Sequence, residues 1–195
     1  MLTLKDFEDT GALLSGHFRL SSGLHSDKYL QCARLLMWPA RAEEAGRELG
    51  ERLREFSPKA VVSPAIGGLI IGHETARALG VRAMFVERKD GDFSLRRGFT
   101  LSPGEPVVVV EDVFTTGKST REASAAVEAA GGRVLAVGSI VDRGAPAGSF
   151  TVPARSLLAL SVPSWPEAEC PLCARNVPLD TPGSRPGSRF APAKT

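Results

Sequence analysis

Four consecutive valines, at 107–110, are the feature that most constrains how this chain can fold. Branched apolar side chains on both faces of a strand are typical of a strand buried inside a parallel sheet. Further mainly apolar segments lie at residues 60–63, 81–87, 133–141 and 156–160. Because segments with helical apolar spacing separate most of these runs, the pattern predicts an α/β fold, with a central, mainly parallel sheet flanked by helices.

The predicted helices begin and end at residues that commonly bound helices. Pro39 starts a helix that extends to about residue 56. A second helix follows Gly67-Gly68, and a third covers about residues 118–130. Residues 88–105 are polar and basic and too many for a simple turn, so we expect a mobile functional loop there.

The N-terminal segment has a different pattern. Thr3 and Asp6 form a weak capping box, which predicts a helix through about Leu14. Residues 17–31 then alternate polar and apolar side chains around Gly23, which predicts a small hairpin-like element.

Length and charge exclude several classes of protein. The 195 residues suit a single domain, predicted over 1–175, with a flexible tail over 176–195. Residues 181–195 hold three basic and no acidic side chains, which leaves 21 basic and 22 acidic ones in the rest. This balance argues against nucleic acid as a partner. Without a signal pattern or an apolar run of ~18 residues, we expect a cytoplasmic protein that does not enter membranes.

The segment richest in chemistry is Val107–Thr120, VVVVEDVFTTGKST. The predicted strand ends in two carboxylates, Glu111 and Asp112, and small or hydroxylated residues then lead into a helix. Backbone N–H groups at a helix N-terminus bind anions, and Gly117 permits a close approach of the backbone. The segment predicts an anion cradle beside carboxylates that can accept hydrogen bonds from a sugar diol.

Two other interpretations of this segment compete with an anion cradle. Gly117-Lys118-Ser119 matches the end of a Walker A motif, but that motif needs a glycine where this chain has Asp112, whose charge would repel a triphosphate. A plain turn with solvated acids and a helix cap is the other alternative. We favour a ligand with a phosphate at one end and a sugar diol at the other.

The same segment resembles the phosphoribosyl-diphosphate (PRPP) signature of the type I phosphoribosyltransferases. Further segments, in the same order along the chain, resemble the orotate phosphoribosyltransferases of that family. They are SGHFRLSSGLHSDKYLQ at 15–31, SPAIGGLIIG at 63–72, ERKDGDFSLRRGF at 87–99 and IVDRG at 140–144. The resemblance implies a type I phosphoribosyltransferase-like fold, with a small hood formed by about residues 1–35 and a C-terminal segment.

The resemblance also implies a reaction, in which orotate displaces diphosphate from PRPP to give orotidine 5′-monophosphate in pyrimidine biosynthesis. Glu111 and Asp112 would hold the ribose 2′- and 3′-hydroxyls, and Asp112 would also be catalytic. Thr115 and Arg143 would contact orotate, with the Arg143 guanidinium on its carboxylate. The implied PRPP cradle is Glu111, Asp112, Val113, Phe114, Thr115, Thr116, Gly117, Lys118 and Ser119.

Residues 88–97, RKDGDFSLRR, resemble the family's catalytic loop, which in relatives closes over the active site of the neighbouring subunit of a homodimer. Arg88 and Lys89 would bind PRPP and neutralise the departing diphosphate, with support from Arg96 and Arg97. A solvated basic loop is the alternative. Mg²⁺ would arrive with PRPP, because it prefers phosphate oxygens and water to a cage of protein ligands.

The chain departs from the family pattern at four positions. Asp92 and Ser94 stand where many relatives have a Lys and a His, and Ser21 and Gly67 stand where relatives often have lysines. These departures weaken the assignment of individual loop residues. A purine phosphoribosyltransferase, which would share the PRPP segment, is one alternative function, and a non-catalytic sensor of PRPP built on the same fold is another.

Three cysteines, Cys32, Cys170 and Cys173, are too few for a disulfide framework. The CPLC sequence at 170–173 has the spacing of half a zinc site and resembles the C-terminal end of one bacterial subset of the family. A metal would need two more ligands, from Cys32, a histidine or a second subunit. We expect structural cysteines, with a metal site or a redox disulfide as alternatives.

The three histidines, His17, His25 and His73, are candidates to complete such a site. His73 follows an apolar helix face, so we expect it to be packed or to support a ligand-binding residue. His25 lies in the element that covers the base site in relatives, so a position near the ligand is an alternative for it.

Overall fold

The computed structural model describes residues 1–20 and 22–182. Ser21 and the basic side chains of the predicted tail lie outside the described residues. The contacts between Cα atoms divide the chain into two units. Unit 1 comprises Met1–Thr3 and Leu36–Leu160, and unit 2 comprises Leu4–Leu35 and Ser161–Thr195.

Helices and strands alternate along the chain much as predicted. In order they are α1 (Leu4–Asp9), β1 (Leu13–Arg19), β2 (His25–Leu30), α2 (Ala33–Leu36), α3 (Pro39–Leu53), β3 (Ala60–Pro64), α4 (Gly68–Leu79), β4 (Arg82–Lys89), β5 (Asp92–Leu95), β6 (Pro106–Phe114), α5 (Lys118–Ala129), β7 (Arg133–Asp142) and β8 (Ala154–Ala159), with 3₁₀ turns at Arg54–Phe56 and Glu167–Glu169. Within the described part of the chain, no helix is long and apolar enough to cross a membrane.

Unit 1 is built on a six-stranded sheet in the order β5-β4-β3-β6-β7-β8. All neighbouring strands are parallel except β5, which is antiparallel to β4. The predicted α/β class with a mainly parallel central sheet is therefore confirmed. The valine-rich strand β6 lies inside the sheet, with hydrogen-bonded neighbours on both edges, β3 and β7.

The core of unit 1 lies on both faces of this sheet, because successive strand side chains point to opposite sides. On one face, Val62 and Val109 join Val127 of α5 in a buried cluster. On the other face, α3 packs against β7 so closely that a Cβ added at Gly138 would lie 2.9 Å from Leu53. A strand enclosed in this way needs apolar residues at every position, which explains the valine run.

The predicted mobile loop over residues 88–105 is wrong for its first part. Strands β4 and β5 form an antiparallel hairpin in which Lys89 pairs with Asp92. Its turn residues, Asp90 and Gly91, have φ angles of 55° and 100°. An Asp-Gly pair with two positive φ angles is the preferred turn for a tight hairpin, and this signal was present in the sequence.

The predicted first helix is too long. Helix α1 ends at Asp9, and β1 begins at Leu13. The Thr10 hydroxyl donates to the Asp6 carbonyl at 2.7 Å, and Gly11 takes a φ of 66°, a left-handed conformation that ends helices.

Unit 2 consists of the predicted N-terminal hairpin and the C-terminal segment, the two parts that the sequence assigned to a hood. Strands β1 and β2 are antiparallel, and the main chain of Trp165 exchanges hydrogen bonds of 2.8 and 2.9 Å with that of His25. The Asp180 N–H donates to the His17 carbonyl at 2.8 Å, and the Arg19 N–H donates to the Asp180 carbonyl at 2.8 Å. Backbone hydrogen bonds thus extend past the predicted boundary at residue 175.

We predict that Phe114→Ala lowers the free energy of unfolding by about 3–5 kcal/mol, because the Phe114 side chain is fully buried. Its ring centroid lies 4.7 Å from that of Phe150, so the substitution also removes an aromatic contact. Phe114→Leu, which keeps most of the apolar volume, should cost clearly less. Denaturant unfolding measures both values, and a loss below about 1 kcal/mol for the alanine variant would contradict this packing.

Candidate active site

The two carboxylates lie near the carboxyl end of β6, as predicted, although the strand continues for two residues beyond Asp112. The pairing of β3 with β6 ends at Val62 and Val109, whereas β7 stays paired with β6 as far as Phe114. Glu111 and Asp112 therefore lie where β3 no longer covers the edge of β6. Ligands of parallel α/β sheets bind in this kind of opening, beyond the carboxyl ends of the strands.

Glu111 is only partly accessible to water. The Thr120 hydroxyl, on α5, donates a hydrogen bond to its carboxylate. Burial raises the pKa of Glu111 to about 7, and the neighbouring Asp112 charge adds to this effect, while the Thr120 hydrogen bond opposes it. Ionising Glu111 in the free protein is therefore costly, and a ligand that donates hydrogen bonds to the carboxylate would lower that cost.

Asp112 lies against the backbone of Gly67, in the segment that joins β3 to α4. A Cβ added at Gly67 would lie 2.9 Å from Asp112 Oδ1, so a larger residue would push the carboxylate away. Asp112 Oδ1 also accepts a hydrogen bond of 2.9 Å from the Val113 N–H, and burial raises the pKa of the carboxyl. The sequence does not reveal that Gly67 leaves room for the Asp112 carboxylate, because the close approach of two segments distant in sequence leaves no local pattern.

The predicted anion cradle follows β6 directly. Thr115 and Thr116 are exposed, Gly117 has a φ of 70°, and Lys118 begins α5. Arg121 stabilises this conformation through two hydrogen bonds. Its main-chain N–H donates to the Gly117 carbonyl at 2.9 Å, and its guanidinium donates to the Thr116 carbonyl at 2.8 Å. The positive φ favours glycine at 117, so the chain can present the first N–H groups of α5 to an anion.

One residue of the predicted PRPP cradle, Phe114, has its side chain elsewhere in the structure. The Phe114 side chain is fully buried in the core, so only its main chain can contribute to the predicted PRPP cradle. Its carbonyl accepts a hydrogen bond of 2.8 Å from the Arg143 N–H. That bond holds Arg143, directly after β7, beside the end of β6, while Val113 remains partly accessible.

Arg88, one residue before the last pair of the β4–β5 hairpin, is held beside the start of α5. Its guanidinium forms an ion pair with Glu122 and lies 4.1 Å from the centre of the Phe93 ring. Glu122 also lies 3.8 Å from the Lys118 ammonium. Glu122 was not among the predicted site residues, and its position one turn along α5 from Lys118 is the signal that could have identified it.

The other basic residues of the hairpin are arranged around a second carboxylate. Arg97 and Arg96 lie 3.0 and 3.6 Å from Glu87. Lys89 is exposed next to the turn, opposite Asp92. The structure thus places Arg88 alone of these four against α5, and it holds Arg96 and Arg97 at the start of the segment that follows β5.

The histidines and cysteines also differ from expectation. His73 is on the surface, with 68% of its side chain exposed, so the predicted packed position is wrong. In unit 2, the structure brings Cys170 and Cys173 together with His17 and His25.

Comparison with known proteins agrees with this geometry. Residues 31–168 match the model of the phosphoribosyl transferase domain. The orotate phosphoribosyltransferase of Caldanaerobacter subterraneus subsp. tengcongensis is 48% identical over 182 residues, covering 93% of this chain and 96% of that protein. The orotate phosphoribosyltransferase of Thermotoga maritima is 47% identical over 178 residues, covering 91% of this chain and 95% of that protein.

Solved structures show the same likeness. The crystal structure of orotate phosphoribosyltransferase from Aeropyrum pernix has a TM-score of 0.66 and 32% identity, and the alignment covers 80% of this chain and 92% of that one. The Mycobacterium tuberculosis orotate phosphoribosyltransferase in complex with PRPP has a TM-score of 0.60 and 27% identity, with 68% and 81% of the two chains covered.

The fold, the carboxylate pair and the cradle at the start of α5 define a phosphoribosyltransferase, and the chain belongs to that family. Within it, the most similar of the relatives described above are orotate phosphoribosyltransferases, and they match nearly the full length of this chain.

We predict that Glu111→Gln makes the protein more stable at pH 8 and leaves its stability near pH 4.5 almost unchanged. Since the folded protein raises the pKa of Glu111 to about 7, the folded state holds this proton more tightly than the unfolded state, and wild-type stability falls as pH rises from about 4.5 to 7. The glutamine removes that cost, which is at most about 3 kcal/mol. Thermal unfolding at several pH values measures the difference.

Glu105→Gln is the matched control, with the opposite sign. The Ser102 N–H, at 2.9 Å, and the Arg82 guanidinium lower the pKa of Glu105. Its charged form therefore stabilises the fold at pH 8, and the variant should be less stable there than the wild type. A gain for Glu111→Gln that did not depend on pH would contradict the assigned cause.

Proposed function

We propose that this protein is an orotate phosphoribosyltransferase, which transfers the phosphoribosyl group of PRPP to orotate and releases diphosphate in the synthesis of pyrimidine nucleotides. The observation that carries the proposal is the position of Glu111 and Asp112, at the open end of β6 and directly before the α5 cradle. This order of groups suits a ligand with a diol and a phosphate at neighbouring positions. A cytoplasmic location is part of the proposal and rests on the sequence alone.

The carboxylates and the cradle would hold the two ends of the phosphoribosyl group. Glu111 and Asp112 would accept hydrogen bonds from the ribose 2′- and 3′-hydroxyls, which supports their charged forms despite burial. The 5′-phosphate would lie in the cradle from Thr115 to Ser119, on the N–H groups and hydroxyls at the start of α5. Holding the ribose at both ends would orient its C1 atom toward the incoming nitrogen.

Arg143 would recognise the carboxylate of orotate. Its main chain is held beside the end of β6 by the hydrogen bond to Phe114, and it is partly buried. A planar guanidinium can form two parallel hydrogen bonds with a carboxylate, which a base lacking that group could not accept. Thr115, exposed at the start of the cradle, would contact both substrates.

Arg88 and Lys89 would neutralise the departing diphosphate. In the free protein the Arg88 guanidinium pairs with Glu122. Binding of PRPP would exchange the Glu122 carboxylate for the diphosphate as the anionic partner of Arg88, so no cation would have to move in from a distance. Lys89 is exposed near the hairpin turn and can move with it. Arg96 and Arg97, held by Glu87, would support the base of the hairpin.

Mg²⁺ would accompany PRPP, with substrate oxygens and water as its main ligands. When bound, it would neutralise part of the diphosphate charge. The site fits such an ion, because its acids are oxygen donors whose burial favours a positively charged neighbour. With Glu111 and Asp112 engaged by ribose, the protein itself need not enclose the metal.

Incubation of the purified protein with PRPP, Mg²⁺ and orotate should give orotidine 5′-monophosphate, followed as the loss of orotate absorbance. Adenine and uracil, which lack the carboxylate, should not be converted. Turnover of adenine in place of orotate would overturn the substrate assignment and leave the family unchanged. Binding of PRPP without turnover of any base would indicate a sensor.

We further propose a homodimer in which the hairpin turn serves the site of the neighbouring subunit. Lys89→Ala should lower kcat by about 10²–10³-fold, a loss typical of one charged group that stabilises a transition state, while PRPP still binds. Lys59→Ala is the matched control, because Lys59 is exposed at the start of β3, at the opposite end of the sheet, and should keep full activity.

Mixing inactive variants tests which subunit the hairpin serves. Lys89→Ala and Asp112→Asn chains, each nearly inactive alone, are refolded together so that mixed dimers form. If Lys89 acts in the neighbouring subunit, one site of each mixed dimer is intact, and about a quarter of wild-type activity returns. If Lys89 acts in its own subunit, every site carries one defect, and no activity returns.

A further inference from the structure

Unit 2 contains a cluster of four metal-ligating side chains that the proposed reaction does not use. His17 lies on β1 and His25 begins β2, while Cys170 directly precedes, and Cys173 lies within, the turned segment over residues 171–176. One potential donor atom from each of these residues lies within 4.8 Å of the other three. Among residues 1–20 and 22–182, it is the one group of three or more His, Cys, Asp or Glu side chains whose donor atoms lie close enough together to hold a metal ion.

The separations of the donor atoms fit a tetrahedron. His17 Nε2 lies 3.0 Å from His25 Nδ1, and 3.5 and 3.7 Å from the sulfurs of Cys170 and Cys173. His25 Nδ1 lies 3.2 Å from Cys173 Sγ. Metal bonds of ~2.05 Å to nitrogen and ~2.3 Å to sulfur would place tetrahedral donors about 3.3 Å (N to N) and about 3.6 Å (N to S) apart. The observed separations agree with these values to within about 0.4 Å.

The orientation of His17 is the one a metal ligand needs. Its Nδ1 lies 2.8 Å from the Val177 carbonyl oxygen, which can only accept a hydrogen bond, so Nδ1 carries the proton. A neutral His17 ring then directs the lone pair of Nε2 at the cluster. Protein metal sites commonly hold a histidine through a backbone carbonyl in this way.

Burial indicates a closed, structural site. His17, His25 and Cys170 expose 3%, 1% and 2% of their surfaces, and Cys173 is partly exposed. Cys32, Cys170 and Cys173, all within the described residues, form no disulfide in the structure. Two sulfurs and two imidazole nitrogens would fill a tetrahedral coordination sphere and leave no position for a reacting water.

We propose that His17, His25, Cys170 and Cys173 bind one Zn²⁺ ion, which fastens the C-terminal segment of unit 2 to its N-terminal hairpin. Two thiolates with two imidazoles in tetrahedral geometry favour zinc over the harder magnesium ion, which prefers oxygen ligands. The ion would link main-chain segments that already meet at the Phe18–Asp180 and His25–Trp165 bridges. A small unit with few buried apolar side chains gains most from such a crosslink.

The metal content of the full-length protein, purified under reducing conditions from cells supplied with zinc, tests the site directly. Elemental analysis should find about one zinc per chain, and Cys170→Ser and His17→Gln should each lose most of it. Cys32→Ala and His73→Gln are matched controls, because they remove a cysteine and a histidine outside the cluster, and they should retain the zinc. Substoichiometric zinc in the wild type, or equal loss in the controls, would overturn the proposal.

A cobalt experiment on the wild-type chain avoids reliance on variants that fail to fold. After removal of zinc by a chelator, added Co²⁺ should give the intense visible bands of a tetrahedral site together with thiolate-to-cobalt charge transfer. Zinc binds such ligands more tightly than cobalt and should abolish both signals at about one equivalent. Weak bands typical of octahedral cobalt, without thiolate-to-cobalt charge transfer, would contradict the site.

Thermal unfolding gives a readout that is independent of activity. Chelation should lower the melting temperature on the order of 10 °C in the wild type, Cys32→Ala and His73→Gln, and zinc should restore it. Chelation should not change the melting temperature of Cys170→Ser, which has already lost the ion. A wild-type melting temperature that ignores both chelator and zinc would count against a structural ion.

Discussion

The burial of strand β6 is the constraint on which the candidate active site depends. Because β3 and β7 pair with both its edges and helices α4 and α5 pack against it, the four valines at 107–110 are fully buried. The carboxyl end of the strand carries Glu111 and Asp112 into a poorly solvated position, which raises the pKa of both carboxyls. The same burial that positions the two carboxyls makes their ionisation costly in the free protein, as is common for ligand-binding groups.

The two units are stabilised by different means. Unit 1 has a layered core of apolar side chains around its sheet, so hydrophobic burial suffices to hold it. Unit 2 relies on a two-stranded hairpin, main-chain hydrogen bonds to residues near Trp165 and Asp180, and the proposed zinc ligands. An isolated hairpin is only marginally stable in water, which gives the cluster a physical purpose in the fold.

Much of the fold could be predicted because it follows local rules. The alternation of strands and helices, the helix beginning at Pro39 and the strand of valines come from periodicity and from residues that bound helices. The hairpin over residues 82–95 also follows a local rule, because Asp90-Gly91 is a typical hairpin turn. The polar and basic composition of that region instead led to the prediction of a mobile loop. The length of helix α1 was misjudged because Gly11 was not treated as a terminator.

The sequence by itself determined the α/β order and the placement of two acids before a helix start, since both depend on neighbours along the chain. Tertiary structure alone decided that Gly67 lies against Asp112, that Phe114 faces the core, and that Glu122 holds Arg88. It also joined His17 and His25 to a cysteine pair about 150 positions away. Such contacts depend on strand register and on which face of a helix packs inward. Spacing along a chain cannot specify these, because the folded backbone sets the distance between residues remote in sequence.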